Sequence, residues 1–189
     1  MSIATMTTAL TDRLANNLEG SFPELIRTHQ DGIYSGVRRL APGSADAEDI
    51  TQETFVRAYR ALQGYEADRI RRLKLKAWLW TIALNLCRNA ARSRSRRPKT
   101  VALDPGHDSP SPDSVEGDAL VSVGELVWQA RLDMLPSRQR TAVVLRHVVD
   151  LSYPDIAATL KRPEGSVKSD VHRGLERLRA IIETEEIIS

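Results

Sequence analysis

Between Arg97 and Asp118 the apolar periodicity that fills the rest of the chain stops. This stretch holds Pro98, Pro105, Pro110 and Pro112, Gly106 and Gly117, four aspartates and several serines. Such a segment cannot bury enough surface to offset the entropy of ordering it, so it is predicted to be a flexible linker. The consequence is severe for a chain of 189 residues: it must fold as two small domains, each with a thin core. The expected division is an N-terminal extension over 1–19, a first domain over 20–97, a linker over 98–118 and a second domain over 119–189. A hydrophobic fraction of 41% with only 5% aromatics fits thin cores and a large polar surface, and nothing suggests a large enclosed catalytic pocket.

Both halves are predicted to be all-α. No run alternates apolar and polar residues with β-branched enrichment, and no Asn-Gly or Asp-Gly hairpin turn occurs. Period-3.6 patterning predicts helices over 22–41, 45–63, 75–97, 119–134, 137–149, 152–160 and 164–183.

The net charge of +2 conceals strong segregation. Arg88, Arg92, Arg94, Arg96, Arg97 and Lys99 form one acid-free run, and Arg69, Arg71, Arg72, Lys74 and Lys76 another, while the sign reverses between Asp104 and Glu125. Asymmetry of this kind points to a polyanionic partner. The single cysteine, Cys87, rules out an intrachain disulfide, and the four histidines show no ligand spacing, so no metal and no cofactor is expected. No stretch of 18 apolar residues occurs, and the first twenty residues do not have the pattern of a signal peptide. A soluble, cytoplasmic protein without membrane insertion is the expectation.

The helix over 75–97 places Leu79, Ile82, Ala83, Leu86 and Ala90 on one face. The opposite face carries Trp78, Thr81, Asn85, Arg88, Asn89, Arg92 and Arg96. Arginines there could hold a phosphate backbone, and asparagines could hydrogen-bond exposed bases. An ordinary solvated face with a half-buried tryptophan would have the same composition. In the preceding helix, Ser44 is a plausible N-cap, and Asp46, Glu48 and Asp49 suit the positive end of the helix dipole. Asp49, Gln52 and Glu53 could equally form a protein-docking face.

In the second half, Ser152-Tyr153-Pro154-Asp155 has the form of a helix start, with Ser152 as N-cap, Pro154 in the first turn and Asp155 reaching back. Ile156, Ala157 and Leu160 point inward. After a break at Lys161-Arg162-Pro163 a second helix carries Val167, Val171, Leu175 and Leu178 on one stripe. This is helix-turn-helix spacing. Ser166, Ser169, His172 and Arg173 occupy the outer face, with Lys168 and Arg177 on its flanks, where donors could reach base edges in a major groove; a helical hairpin with a polar outer face would have the same pattern.

Three stretches, in this order, resemble the extracytoplasmic-function group of bacterial RNA polymerase sigma factors. DAEDITQETFVRAYRAL (46–62) is similar to the family's polymerase-binding helix. KAWLWTIALNLCRNAARSRSRR (76–97) is similar to its −10-element helix, and LPSRQRTAVVLRHVVDLSYPDIAATLKRPEGSVKSDVHRGLERLR (135–179) to its C-terminal helix-turn-helix domain. The resemblance implies that Asp49, Gln52 and Glu53 face core RNA polymerase, with its β′ and β subunits as partners. It implies that Asn85, Arg88, Asn89, Arg92 and Arg96 face the melted −10 strand. Ser166, Lys168, Ser169, His172 and Arg173 would read the −35 element of promoter DNA. An anti-sigma factor is the expected inhibitory partner.

Some positions depart from the family pattern. Leu84 stands where an arginine is frequent, Asp170 where the recognition helix usually has arginine, and Lys161 where the turn usually has glycine. The segment between Leu62 and Trp78 is longer than usual and unusually basic. Asp170 would repel phosphate unless it accepts from a cytosine amino group or pairs with a nearby arginine. The alternative function is a stand-alone helix-turn-helix regulator, which leaves the two N-terminal motifs as coincidence. An enzyme such as a recombinase lacks support: there is no Gly-rich phosphate loop, no G-x-S-x-G, no H-E-x-x-H and no strand-rich half, so no catalytic residue is assigned.

Overall fold

The computed structural model describes residues 3–41, 43–96 and 123–188, and every regular element among them is helical. The helices are α1 (Ile3–Asn16), α2 (Leu18–Leu40), α3 (Ser44–Gln63), α4 (Ala67–Arg71), α5 (Leu75–Arg96), α6 (Val123–Asp133), α7 (Ser137–Val143), α8 (Tyr153–Leu160) and α9 (Glu164–Ile188). The segment expected to be the linker lies outside the described residues.

Two helices escaped the sequence reading. The stretch set apart as an extension carries α1, whose Leu10 and Leu14 are buried. The five-residue α4 falls in the basic segment between the two N-terminal motifs. Helix α2 also begins earlier than expected. Asn17 is the cap, its side chain accepting from the Gly20 amide at 3.0 Å, so Pro23 lies inside the helix. In α3 the cap position falls on Gly43 rather than on Ser44.

Helices α1 to α5 form the first domain, in which α2 packs against α1, α3 and α5. The expected stripe holds, since Leu79, Ala83 and Leu86 are buried, but Leu75, Trp80, Leu84 and Cys87 are buried as well. One apolar stripe was anticipated; α5 has two, because α2 and α3 pack on it from one side and α8 from another. Phe22 and Tyr59 join α2 to α3 edge-to-face, with ring centroids 4.9 Å apart.

The second domain is a helical cluster around Ala142, Val144, Leu145, Ile156 and Val167, each fully buried. Helix α7 runs on into one π-helical turn, Val144–Val148, which closes with the Val149 amide on the Val144 carbonyl at 3.0 Å. Helix α8 starts as the sequence reads: Ser152 accepts from the Asp155 amide and donates to its carboxylate at 2.7 Å. Along α9, Val167, Val171 and Leu178 are buried, whereas Leu175 is 39% exposed. Gly174 takes its place on the inner stripe, close under Val143, where a Cβ would come within 2.6 Å of a valine methyl.

The two domains touch. Lys74 pairs with Asp155 at 2.6 Å, the Thr159 hydroxyl donates to the Ala77 carbonyl at 3.3 Å, and Arg38 pairs with Glu125 at 2.9 Å. Burial alone would raise the Asp155 carboxyl, but hydrogen bonds from Lys74 and Ser152, with the lysine charge, hold it below the usual aspartate value.

Between α8 and α9, Lys161 adopts φ 53° and ψ 50°, the left-handed conformation that closes a helix. A residue with a Cβ costs about 1 kcal/mol more there than glycine. Lys161→Gly is therefore expected to raise the melting temperature by about 2–3 °C. A lower melting temperature would show that the lysine side chain makes contacts worth more than the backbone strain.

Candidate functional site

Three surfaces collect the residues singled out by sequence. The first is the outer face of α3. Asp49 and Gln52 are exposed, and Glu53 is half-exposed and pairs with Arg57 at 2.6 Å one turn on. These three do not share one environment. Gln52 lines an open apolar groove between α2 and α3, with Phe22, Ile26, Phe55, Val56 and Tyr59, whereas Asp49 and Glu53 do not. Val56 is 42% exposed there, an apolar side chain left in water beside a polar rim. The groove was not anticipated. Its signal was the pairing of Phe22 and Ile26 on α2 with Phe55 and Tyr59 on α3, legible only once the two helices are known to be neighbours.

The second surface is the outer face of α5. Asn85, Arg88, Asn89 and Arg92 are all exposed, and Arg88 donates to the Asn85 side-chain oxygen at 3.3 Å. That contact leaves the Asn85 amide nitrogen pointing its donors elsewhere. Arg96 ends the helix, and its side chain lies outside the described residues. Arg94 departs from the strip by pairing with Asp46 at the start of α3 at 2.6 Å. Leu84, at the family's frequent arginine position, is 3% exposed and belongs to the core.

At the N-terminal end of this strip stands an aromatic cluster. Trp78 is half-buried and its ring lies 6.1 Å from Tyr65, while the Arg69 guanidinium sits 3.6 Å above the Tyr65 ring. Tyr65 and Arg69 were not assigned a role by sequence. The segment that carries them is held from below by α1, since Arg71 donates to Asn16 at 2.9 Å and to Asp68 at 2.8 Å and lies 3.6 Å from Asp12. The extra length of this segment is therefore structured, with Ile70 buried beneath it.

The third surface is the N-terminal half of α9. Lys168, Ser169, His172 and Arg173 are exposed, and Ser166 is half-buried. Lys168 pairs with Glu164 at 2.7 Å, and the hydrogen bond and charge of that glutamate push the ammonium above the ordinary lysine value. The Ser169 hydroxyl donates back to the Gly165 carbonyl at 3.0 Å, and His172 lies 3.3 Å from Glu176. Asp170 pairs with Arg162 at 2.5 Å, which selects the second of the two options left open for its carboxylate.

A family model described as Sigma-70 region 2 matches residues 25–97, and one described as Sigma-70, region 4 matches residues 126–178. The ECF RNA polymerase sigma factor SigW of Bacillus subtilis is 34% identical over 172 residues, spanning 85% of this chain and 88% of that protein. The chain belongs to the ECF sigma factors. SigE of Mycolicibacterium smegmatis is 38% identical over 164 residues, and this chain spans 60% of that longer sigma factor. The structure of the sigma factor RpoE from Bartonella quintana, crystallised with the anti-sigma factor NepR, matches at a TM-score of 0.68 with 25% identity, covering 86% of this chain and 96% of that one. CnrH, solved with the cytosolic domain of CnrY, shares the fold at a TM-score of 0.68 with 23% identity, covering 94% and 97%. Within this sigma factor the region 2 match begins after α1, so the helix that braces the 63–74 segment lies upstream of it. No helix among the described residues is long and apolar enough to cross a membrane.

Proposed function

We propose that this sigma factor docks on core RNA polymerase through the outer face of α3, melts the −10 element on the outer face of α5 and reads the −35 element with α9. It works by binding and not by catalysis, in the cytoplasm where polymerase and promoter meet. The observation that carries this reading is the strip Asn85, Arg88, Asn89 and Arg92: four exposed polar or cationic side chains, all turned away from a fully packed core.

The division of labour follows from chemistry. Arginines bind any phosphate backbone and release its counterions, so they supply affinity without reading sequence. A side-chain amide can satisfy the edge of a base only when that edge is free, as in a melted strand. Rings such as Trp78 and Tyr65 offer a face on which an unstacked base can lie. Helix α9 suits intact duplex, since the exposed Lys168, Ser169, His172 and Arg173 stand in its N-terminal half, where a recognition helix enters the major groove. On α3 the apolar groove beside Gln52, with the carboxylates of Asp49 and Glu53 elsewhere on the same helix, supports a protein partner more than a nucleic acid, because carboxylates repel phosphate. RpoE and CnrH were each solved in complex with a second protein, an anti-sigma factor in the case of RpoE. The same class of inhibitory partner is proposed here.

The test is a pull-down of bacterial core polymerase with the full chain and with the Asp49→Ala/Gln52→Ala/Glu53→Ala variant. Retention by the parent chain and at least tenfold weaker retention by the variant is the expected result. Equal retention would move the docking face elsewhere. No retention by either, in protein free of a co-purified inhibitor, would favour a stand-alone regulator.

A further inference from the structure

Asp170 is the residue of α9 least suited to a DNA-binding helix, and its surroundings assign it a task. Its carboxylate accepts from the Arg162 guanidinium at 2.5 Å, across the turn that joins α8 to α9. Both side chains are well covered, at 14% exposure for Asp170 and 27% for Arg162. The backbone of the turn is tied at both ends: the Arg162 amide donates to the Ala157 carbonyl at 3.0 Å, and the Ser166 amide to the Pro163 carbonyl at 3.0 Å. Lys161, within the first of these closures, holds a left-handed conformation that a lysine does not favour. The Arg162–Asp170 pair is thus a side-chain link fastening a strained turn to the N-terminal half of the reading helix.

A second consequence concerns Arg173. It follows Asp170 by three residues, a spacing at which a carboxylate and a guanidinium on one helix can pair. Asp170 is instead taken by Arg162, and among the described residues no ion pair is formed by Arg173. The turn therefore withdraws the carboxylate from the cation that stands on the outer face.

We propose that Asp170 is a positioning residue for −35 recognition. Held by Arg162, it fixes the N-terminal half of α9 against α8 and leaves Arg173 unpaired for DNA. This inference rests on the reading of α9 as the duplex-binding helix. It predicts opposite effects on two quantities. Base readout requires side chains placed to a fraction of an ångström, so loss of the link lowers discrimination. Removal of a negative charge beside a polyanion raises, or at least does not lower, non-specific affinity.

The experiment uses the full chain bound to core polymerase and two short duplexes. One carries the −35 sequence that the parent holoenzyme selects from a random pool, and the other carries the same bases scrambled. The readout is the ratio of the two affinities at one fixed salt concentration. Asp170→Asn is expected to lower the ratio by about tenfold, the scale of coupling in a shared ion-pair network, without weakening binding to the scrambled duplex. Arg162→Met is expected to lower the ratio by a similar factor, and the double variant by no more than either alone. Thermal melts of each variant identify any that fail to fold, and Asp170→Glu, which keeps the charge, should recover most of the ratio.

Three outcomes would overturn the inference. A parallel loss on both duplexes would reduce Asp170 to a stability role. A parallel gain on both would make it simple repulsion. Additive losses in the double variant would show that the two residues do not act as a pair. Arg173→Ala separates this inference from the reading beneath it. If that variant loses −35 binding while Asp170→Asn keeps the ratio, only the positioning role fails. If Arg173→Ala changes nothing, α9 is not the reader and both fall.

Discussion

Asn85→Ala is expected to slow open-complex formation about tenfold or more while closed-complex binding changes by less than about twofold. The asymmetry comes from what each state offers to the side chain. In the closed complex the −10 bases are paired and their Watson–Crick edges are occupied, so the Asn85 amide has no base edge to bond. Phosphate contacts through Arg88 and Arg92 and duplex contacts through α9 persist in the variant. Once the strand separates, a free base edge becomes available to an amide whose oxygen already accepts from Arg88 at 3.3 Å. A specific side-chain-to-base contact is worth about 1–3 kcal/mol, and a contact made only after melting appears in full in the rate or extent of opening. Permanganate reactivity of unpaired thymines would follow opening, and a gel-shift assay at low temperature would follow closed binding. Equal loss in both assays would leave Asn85 as a general DNA contact and shift the melting role to the Tyr65–Trp78 cluster.

The outer faces of α3, α5 and α9 were legible in the sequence because each depends on a short periodic run. Asn85, Arg88, Asn89 and Arg92 recur at helical spacing within eight residues, and the structure leaves all four exposed. The parts that were not legible depend on partners distant in the chain. Trp80 looks misplaced on a wheel drawn for one apolar face, yet it is 1% exposed, because α5 is covered from two directions. Helix α1 is rich in threonine and supplies only Leu10 and Leu14 to the described core, too weak a stripe to stand out by periodicity. Helix α4 is a single short turn of helix whose anchor, Arg71, finds Asp12 and Asn16 more than fifty positions upstream. Asp170 was an anomaly by sequence because the residue that neutralises it lies in the turn, not on its own helix. Local pattern specifies which face is polar; long-range contact decides what each polar group is free to do.

The same long-range contact yields opposite outcomes for one substitution made twice in α2. Alanine exceeds glycine in helix propensity by about 1 kcal/mol, so Gly→Ala inside a helix stabilises where there is space for the methyl group. At Gly32 a Cβ meets nothing within 4 Å, and Gly32→Ala is expected to raise stability by about 0.5–1 kcal/mol. At Gly36 a Cβ would stand 2.4 Å from Trp80 Cη2, 2.7 Å from Trp80 Cζ2 and 2.8 Å from Val149 Cγ2. Neither neighbour can yield easily. The indole is fully buried in the first domain, and Val149, itself 3% exposed, ends the π-helical turn of the second. Overpacking against groups so confined costs about 1–3 kcal/mol, which exceeds the propensity gain. Gly36→Ala should therefore lower stability by about 1–2 kcal/mol, and because Val149 crosses from the other domain, the loss should include the fit between domains. Urea unfolding of both variants, compared at equal slope, tests the pair of signs. If Gly36→Ala were as stable as Gly32→Ala, the indole and the valine would have room to retreat. The close approach of α2, α5 and the π-helical turn would then not be what fixes one domain against the other.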